Sequence, residues 1–180
     1  KAITIDQSGV LGEASDPNSV APYVSSLTDF PVLINITNIH LRTCADGGMV
    51  TSSSGYDIAF TSSDGTTRLS HEIEKYSSTA ANGQVIAWVR IPNLATAVNT
   101  VIYIYFGNPS VTTSQSTEST WSSGYKGVWH FNDWTDATSN GGDATPHNGA
   151  SLAATGQIVQ DASFVQASKQ YSEVINSANL

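Results

Sequence analysis

Between residues 55 and 108 the chain alternates short apolar runs with the dipeptides Asp64-Gly65 and Asn82-Gly83. Asp-Gly and Asn-Gly between such runs are strong hairpin signals, because both residues tolerate the positive φ that tight turns need. The runs read Gly55-Tyr-Asp-Ile-Ala-Phe-Thr61, Leu69-Ser-His-Glu-Ile-Glu74, Val85-Ile-Ala-Trp-Val-Arg-Ile-Pro92 and Val101-Ile-Tyr-Ile-Tyr-Phe-Gly-Asn108. This pattern predicts an antiparallel meander. In its last run Ile102, Ile104 and Phe106 oppose Val101, Tyr103 and Tyr105. Both faces are apolar, which predicts a central strand covered on both sides.

Further strands are predicted on either side. Ala2-Ile-Thr-Ile5 opens the chain, and residues 7–26 read as a long Gly, Ser, Asp and Pro loop. In residues 30–37, Phe30, Val32, Ile34 and Ile36 share one face, and Pro31 marks an edge strand or a strand entrance. Residues 38–44 suit one short helical turn. Residues 111–126 are rich in Ser and Thr and read as a linker. Gly127-Val-Trp-His-Phe-Asn132 then looks like a fresh strand, with short strands around Ile158 and over residues 170–175. No segment holds a helical period. The predicted class is all-β: an antiparallel sandwich of jelly-roll or Greek-key type over residues 1–110, and a partial second β-unit over 127–180.

The chain has 180 residues, and an apolar content of 39% is enough for a real core. Charged residues are only 12%, while Ser and Thr make up roughly a quarter, the balance of a β-rich extracellular protein. A net charge of −8 without a basic stripe argues against nucleic acid and anionic membranes. Cys44 is alone, which excludes an intrachain disulfide, and reads as a small buried hydrophobe. No apolar run reaches the roughly 18 residues of a membrane span. A start at Lys1 rather than Met suggests a trimmed or excised product.

Two resemblances meet near residue 127. Lys1-Ala-Ile-Thr-Ile-Asp6, Asp29-Phe-Pro-Val-Leu-Ile34, Gly55-Tyr-Asp-Ile58, His71-Glu-Ile-Glu74, Ala87-Trp-Val-Arg-Ile-Pro92 and Thr100 to Asn108 together resemble the family numbered twenty-three forty-one among the domains of unknown function. That resemblance implies a secreted or surface β-sandwich and transfers no catalytic residue. Gly127 to Asn132, Asp136-Ala-Thr-Ser-Asn140, residues 156–164 through Tyr171, and residues 177–180 resemble the opening of a laminin-G or concanavalin-A-like jelly roll. Val165-Gln166 stands where that pattern usually has Asp-Gly. A whole jelly roll runs to roughly 150 residues. A third of one leaves strand edges and an apolar face uncovered. The tail folds back on the first sandwich, lacks its remainder, or pairs with a neighbouring molecule by strand addition.

Several residues invite chemistry. His71-Glu-Ile-Glu74 lacks the second His of a helical zinc motif, and on a strand Glu72 and Glu74 sit about 7 Å apart on one face. A hydrolase would use that pair; a solvated strand face would carry it equally. Asp133, Asp136, Asn140 and Asp143 gather oxygen atoms in a Gly-rich loop, which leaves calcium ligation and Asx turns open. Calcium is the one cofactor suggested. The loop from Asp6 to Asp16 is a weaker acidic segment. Trp121, Tyr125, Trp129 and Trp134 cluster at the junction, either as glycan-stacking rings or as packing. Asn35-Ile-Thr37 is an N-glycosylation acceptor on the strand face opposite Ile34 and Ile36. The expectation is a non-enzymatic extracellular or cell-surface module, structural or adhesive, a filament or surface-assembly subunit joined by strand complementation. Its rival is a carbohydrate-binding module of a larger secreted glycan-active protein.

Overall fold

A computed structural model describes residues 1–10, 26–122, 124–153 and 155–175. The acidic stretch beyond residue 10 and the matching word at 177–180 lie outside them. The chain divides into two compact units, Lys1–Thr120 and Trp121–Leu180. Both are all-β.

Unit 1 is a two-sheet sandwich. One sheet has the order β1-β7-β3-β4, built from β1 (Ala2–Ile5), β7 (Thr100–Tyr105), β3 (Ala59–Thr61) and β4 (Arg68–Leu69). The other has the order β2-β6-β5, from β2 (Ser26–Asn38), β6 (Gly83–Ala95) and β5 (His71–Ser78). All pairings are antiparallel. Pro31 lies on β2, an edge strand, where a missing N–H costs no ladder bond on the outer side.

The predicted meander is real in its hairpins and wrong in its continuity. β3 and β4 pair around Asp64-Gly65, and β5 and β6 pair around Asn82, but the two hairpins belong to different sheets. Ser70 alone separates β4 from β5, and the chain changes sheet there, held by the Arg90 N–H donating to the Ser70 carbonyl at 2.9 Å. Period-2 alternation is the same whichever sheet a strand joins, so it cannot reveal such a corner.

The core lies between the sheets. Phe60, Ile102, Ile104, Leu69 and Ile58 from one side meet Ile34, Val85, Ala87, Val89, Ile91 and Leu94 from the other, with Leu41 and Val50 between. β7 is central in its sheet, as expected, but only Ile102 and Ile104 are buried. Tyr103 and Tyr105 point away, because a tyrosine can keep its hydroxyl in water. Phe30 is also turned outward; Asp29 before it has φ +53°, a kink fixed by the Arg90–Asp29 ion pair at 2.9 Å. Cys44 is exposed rather than buried. Single 3-10 turns at Ile39–Leu41 and Cys44–Asp46 stand where the helical turn was expected.

The two turn glycines work differently. Gly65 has φ +74°, as a hairpin turn requires. Gly83 instead begins β6, and a Cβ there would fall 2.1 Å from the Leu41 carbonyl carbon and oxygen. Backbone cannot move aside as a flexible side chain can. Gly83→Ala should therefore destabilise at the upper end of the about 1–3 kcal/mol typical of overpacking. A lowered urea midpoint would register it.

Residues 111–120, read as linker, belong to unit 1. The Ile73 N–H donates to Ser116 Oγ at 2.9 Å, the Thr117 N–H to the His71 carbonyl at 3.0 Å, and Arg90 Nη1 to the Ser119 carbonyl at 2.9 Å. The segment thus occupies polar groups along β5 that an open edge would leave to solvent.

Among the described residues unit 2 has two sheets of two strands. β8 (Ala144–His147) pairs with β11 (Tyr171–Val174), and β9 (Ser151–Ala153) with β10 (Asp161–Ser163). Residues 127–132 form no strand. The Val128 N–H goes to Asp136 Oδ1 at 2.9 Å and its carbonyl accepts from Ala137 at 2.8 Å, so a loop takes both groups a ladder would need. Ile158 lies in the β9–β10 connection, which closes on itself through Gly156 N–H to the Val159 carbonyl.

Candidate functional site

Two places in the described residues are candidates for a site. The first is the surface of unit 2. Each of its two-stranded sheets has outer edges with no ladder partner among the described residues. Around them Phe164, Val165 and Tyr171 are each nearly half exposed, and Ile175 is 75% exposed. No enclosed aliphatic cluster forms among the described residues of this unit. A two-stranded ribbon is marginal by itself in water, and needs a third strand or a covering layer.

Outside its strand ladders, aromatics and one aspartate organise the first part of unit 2. Trp121 is buried, edge-on to Tyr125 and tilted against His130, each at 5.4 Å between centroids. Trp129 donates its indole N–H to the Gly142 carbonyl at 2.9 Å, and its ring fills the space a Cβ at Gly127 would need. Trp134 meets Phe131 and Phe164 edge-on. Of the four expected stacking rings, Trp121 is instead buried against packing partners, Tyr125 among them, while Tyr125, Trp129 and Trp134 are half-buried.

Asp136 organises the loop. Its Oδ1 accepts from the Val128 and Thr138 N–H groups, and its Oδ2 from the Thr138 hydroxyl and the Gly142 N–H, all at 2.8–3.0 Å. Burial alone would raise its pKa, but these donors win and hold it below the ordinary value of 3.8. Asp143 accepts from the Asp136 N–H, Asp133 caps Thr135, and Asn140 donates to the Tyr125 and Lys126 carbonyls. This is Asx-turn chemistry, with the oxygens of Asp136 already engaged. Among the described residues no group of three or more His, Cys, Asp or Glu is placed to hold a metal.

The strand candidates of unit 1 also come apart. His71 is buried against Phe60, ring centroids 5.2 Å apart, with Nδ1 3.3 Å from the Leu69 carbonyl. Desolvation outweighs that carbonyl and keeps the ring's pKa below 6.5. A bulge between Ile73 and Lys75 interrupts the alternation that was to align Glu72 with Glu74. Asn35 is exposed on β2, where its Oδ1 accepts from Gln84 Nε2 at 2.9 Å.

The second place is a groove of about 400 Å³ on the outer face of the β1-β7-β3-β4 sheet. Sequence reading missed it, although alternation had put Tyr103 and Tyr105 on one face. Ala59, Thr61 and Tyr105 form its floor, Arg68 and Gln115 one rim, and Asp57 with Gly107 the far end. Arg68 Nη2 donates to Gln115 Oε1 at 3.2 Å across a sequence gap that no local pattern spans. Asp57 is buried, and takes the N–H groups of Thr51, Ser52 and Gly107 at 2.8–3.0 Å. Burial raises its pKa, and the three backbone donors more than reverse this, so it stays ionised with its pKa below 3.8.

The architecture defines an antiparallel β-sandwich module with a second β-unit after it. The chain belongs to the family described as domain of unknown function (DUF2341), whose match covers residues 54–145, just over half of its length. No curated protein and no solved structure matches it.

Proposed function

We propose that the chain is a non-enzymatic structural or adhesive module of an extracellular or cell-surface protein, joined to its neighbours by strand addition at unit 2. The observation that carries this reading is the edges of unit 2: paired strands without a third among the described residues, and exposed Val165, Tyr171 and Ile175 beside them. Main-chain groups on a free edge supply affinity for an incoming strand, and apolar side chains alongside supply the rest. The low charge and the abundance of Ser and Thr support the location. No helix among the described residues is long and apolar enough to cross a membrane.

The test is light scattering and negative-stain microscopy of the purified chain at rising concentration. Self-association is expected, and Val165→Lys with Ile175→Lys should abolish it, since two buried charges without partners oppose any apolar contact. A wild-type chain that stays monomeric, or association indifferent to both lysines, would overturn the reading.

A further inference from the structure

We infer that the groove on the outer face of the β1-β7-β3-β4 sheet is a binding site for an uncharged sugar residue of a glycan. The site lies wholly within unit 1, so it stands apart from the assembly reading.

Its lining has the two components that a sugar needs. The first is a fixed aromatic face. Tyr105 is 46% exposed, yet its ring is held, because its hydroxyl donates to the Gly65 carbonyl at 3.1 Å. That carbonyl belongs to a rigid turn: Asp64 Oδ1 accepts from the Ser62 hydroxyl and from the Thr66 and Thr67 N–H groups, each at 2.8 Å. A pyranose offers an apolar C–H face, and a pre-positioned ring captures it at low entropic cost. Phe106 and Val111 extend the apolar lining.

The second component is a set of planar polar groups at the rim. Arg68 Nη2 donates to Gln115 Oε1, and Gln115 Nε2 in turn donates to the Thr113 and Ser114 carbonyls at 3.0 and 3.4 Å, which fixes both side chains while leaving the guanidinium with further donors. A guanidinium held in place in this way suits the adjacent hydroxyls of a sugar. Arg68 alone would also suit an acid. Asp57, held ionised at the far end, and the chain's net charge of −8 oppose an anionic ligand. This selects a neutral sugar. Both oxygens of Asp57 are committed to backbone N–H groups, so the site binds and does not cleave.

The groove does not end there. A second one, about 370 Å³, shares Val111 and is lined by the hydroxyl-bearing residues 51–54 and Tyr56. A largely apolar groove beside a hydroxyl-lined one fits a chain of sugars better than an isolated monosaccharide.

The experiment is an NMR titration of the full chain with cellobiose, maltotriose, mannobiose, chitobiose and galactobiose, with a glucuronate disaccharide as the anionic comparator. Binding of at least one neutral oligosaccharide is expected, with shifts at Tyr105, Gly65 and residues 57–61. Tyr105→Ala and Gln115→Ala should each weaken it about tenfold, equivalent to about 1.4 kcal/mol, whereas Trp134→Ala should leave it unchanged. Gln115 is on a loop, so its variant keeps the test valid should Tyr105→Ala disturb the sheet. No neutral binder in the set, preference for the glucuronate, or affinity indifferent to Gln115→Ala would each overturn the proposal.

Discussion

Asp57→Ala should cost unit 1 about 3–5 kcal/mol, a large part of the about 5–15 kcal/mol by which a domain is usually stable. Asp57 is 4% exposed and its carboxylate takes three N–H groups from two separate places, Thr51 with Ser52 in one and Gly107 in the other. It therefore ties the loop before β3 to the end of β7. Alanine leaves buried donors without an acceptor, and each such group carries a penalty of about 1–3 kcal/mol. Asn is a poor replacement, since one end of its amide would present N–H to N–H. Urea unfolding should show the loss as a lower midpoint at unchanged slope. The pH dependence has a fixed sign. The folded pKa lies below the ordinary 3.8, so the unfolded state binds the proton more readily. The contribution is complete above pH 3.8 and is lost as pH falls through the folded value. Asp57→Ala should flatten that part of the acid limb. A variant as stable as wild type would refute the role.

Phe60→Ala should lower stability by about 3–5 kcal/mol, the usual cost of emptying a buried aromatic site. Among the described residues Phe60 is the largest fully buried side chain; it lies on β3, and its ring meets His71 of the opposite sheet. It spans the sandwich, so nearby side chains can fill the gap only by moving both sheets closer. Calorimetry should show a marked fall in Tm for unit 1. A drop of less than about 1 kcal/mol would mean that the sheets are not packed through this residue.

The sequence carried most of unit 1 in legible form. Alternation in residues 100–106 separated Ile102 and Ile104 from the tyrosines and placed the strand centrally, although the tyrosine face, expected to be covered, proved to be the outward one; Asp64-Gly65 made its turn with the expected positive φ. The corner at Ser70 was invisible, because strand period does not name the sheet. Gly83 looked like a turn residue for its neighbour Asn82, whereas its actual constraint is backbone 41 residues earlier in the chain, at Arg42 and Leu41. Asp57 sat within a family word without a role, since only the folded chain brings Gly107 to it. The groove escaped for the same reason: Arg68 and Gln115 lie in unrelated segments, and Gln115 sits in a Ser/Thr-rich run with no pattern of its own. In unit 2 the tryptophans were noticed as a cluster, but composition cannot say that Trp121 turns its ring inward. The oxygen-rich loop was likewise noticed, and its oxygens proved to serve backbone donors.

The most direct measurement of the central claim is amide hydrogen exchange on the full chain, dilute and then concentrated. Amides of β6 and β7, enclosed in the sandwich, should exchange only through global unfolding. Those of β8 to β11 should exchange far faster in dilute solution, and should slow as concentration rises and free edges acquire partners. Equal protection of β8 to β11 and of β6 and β7 in a dilute monomer would contradict the claim.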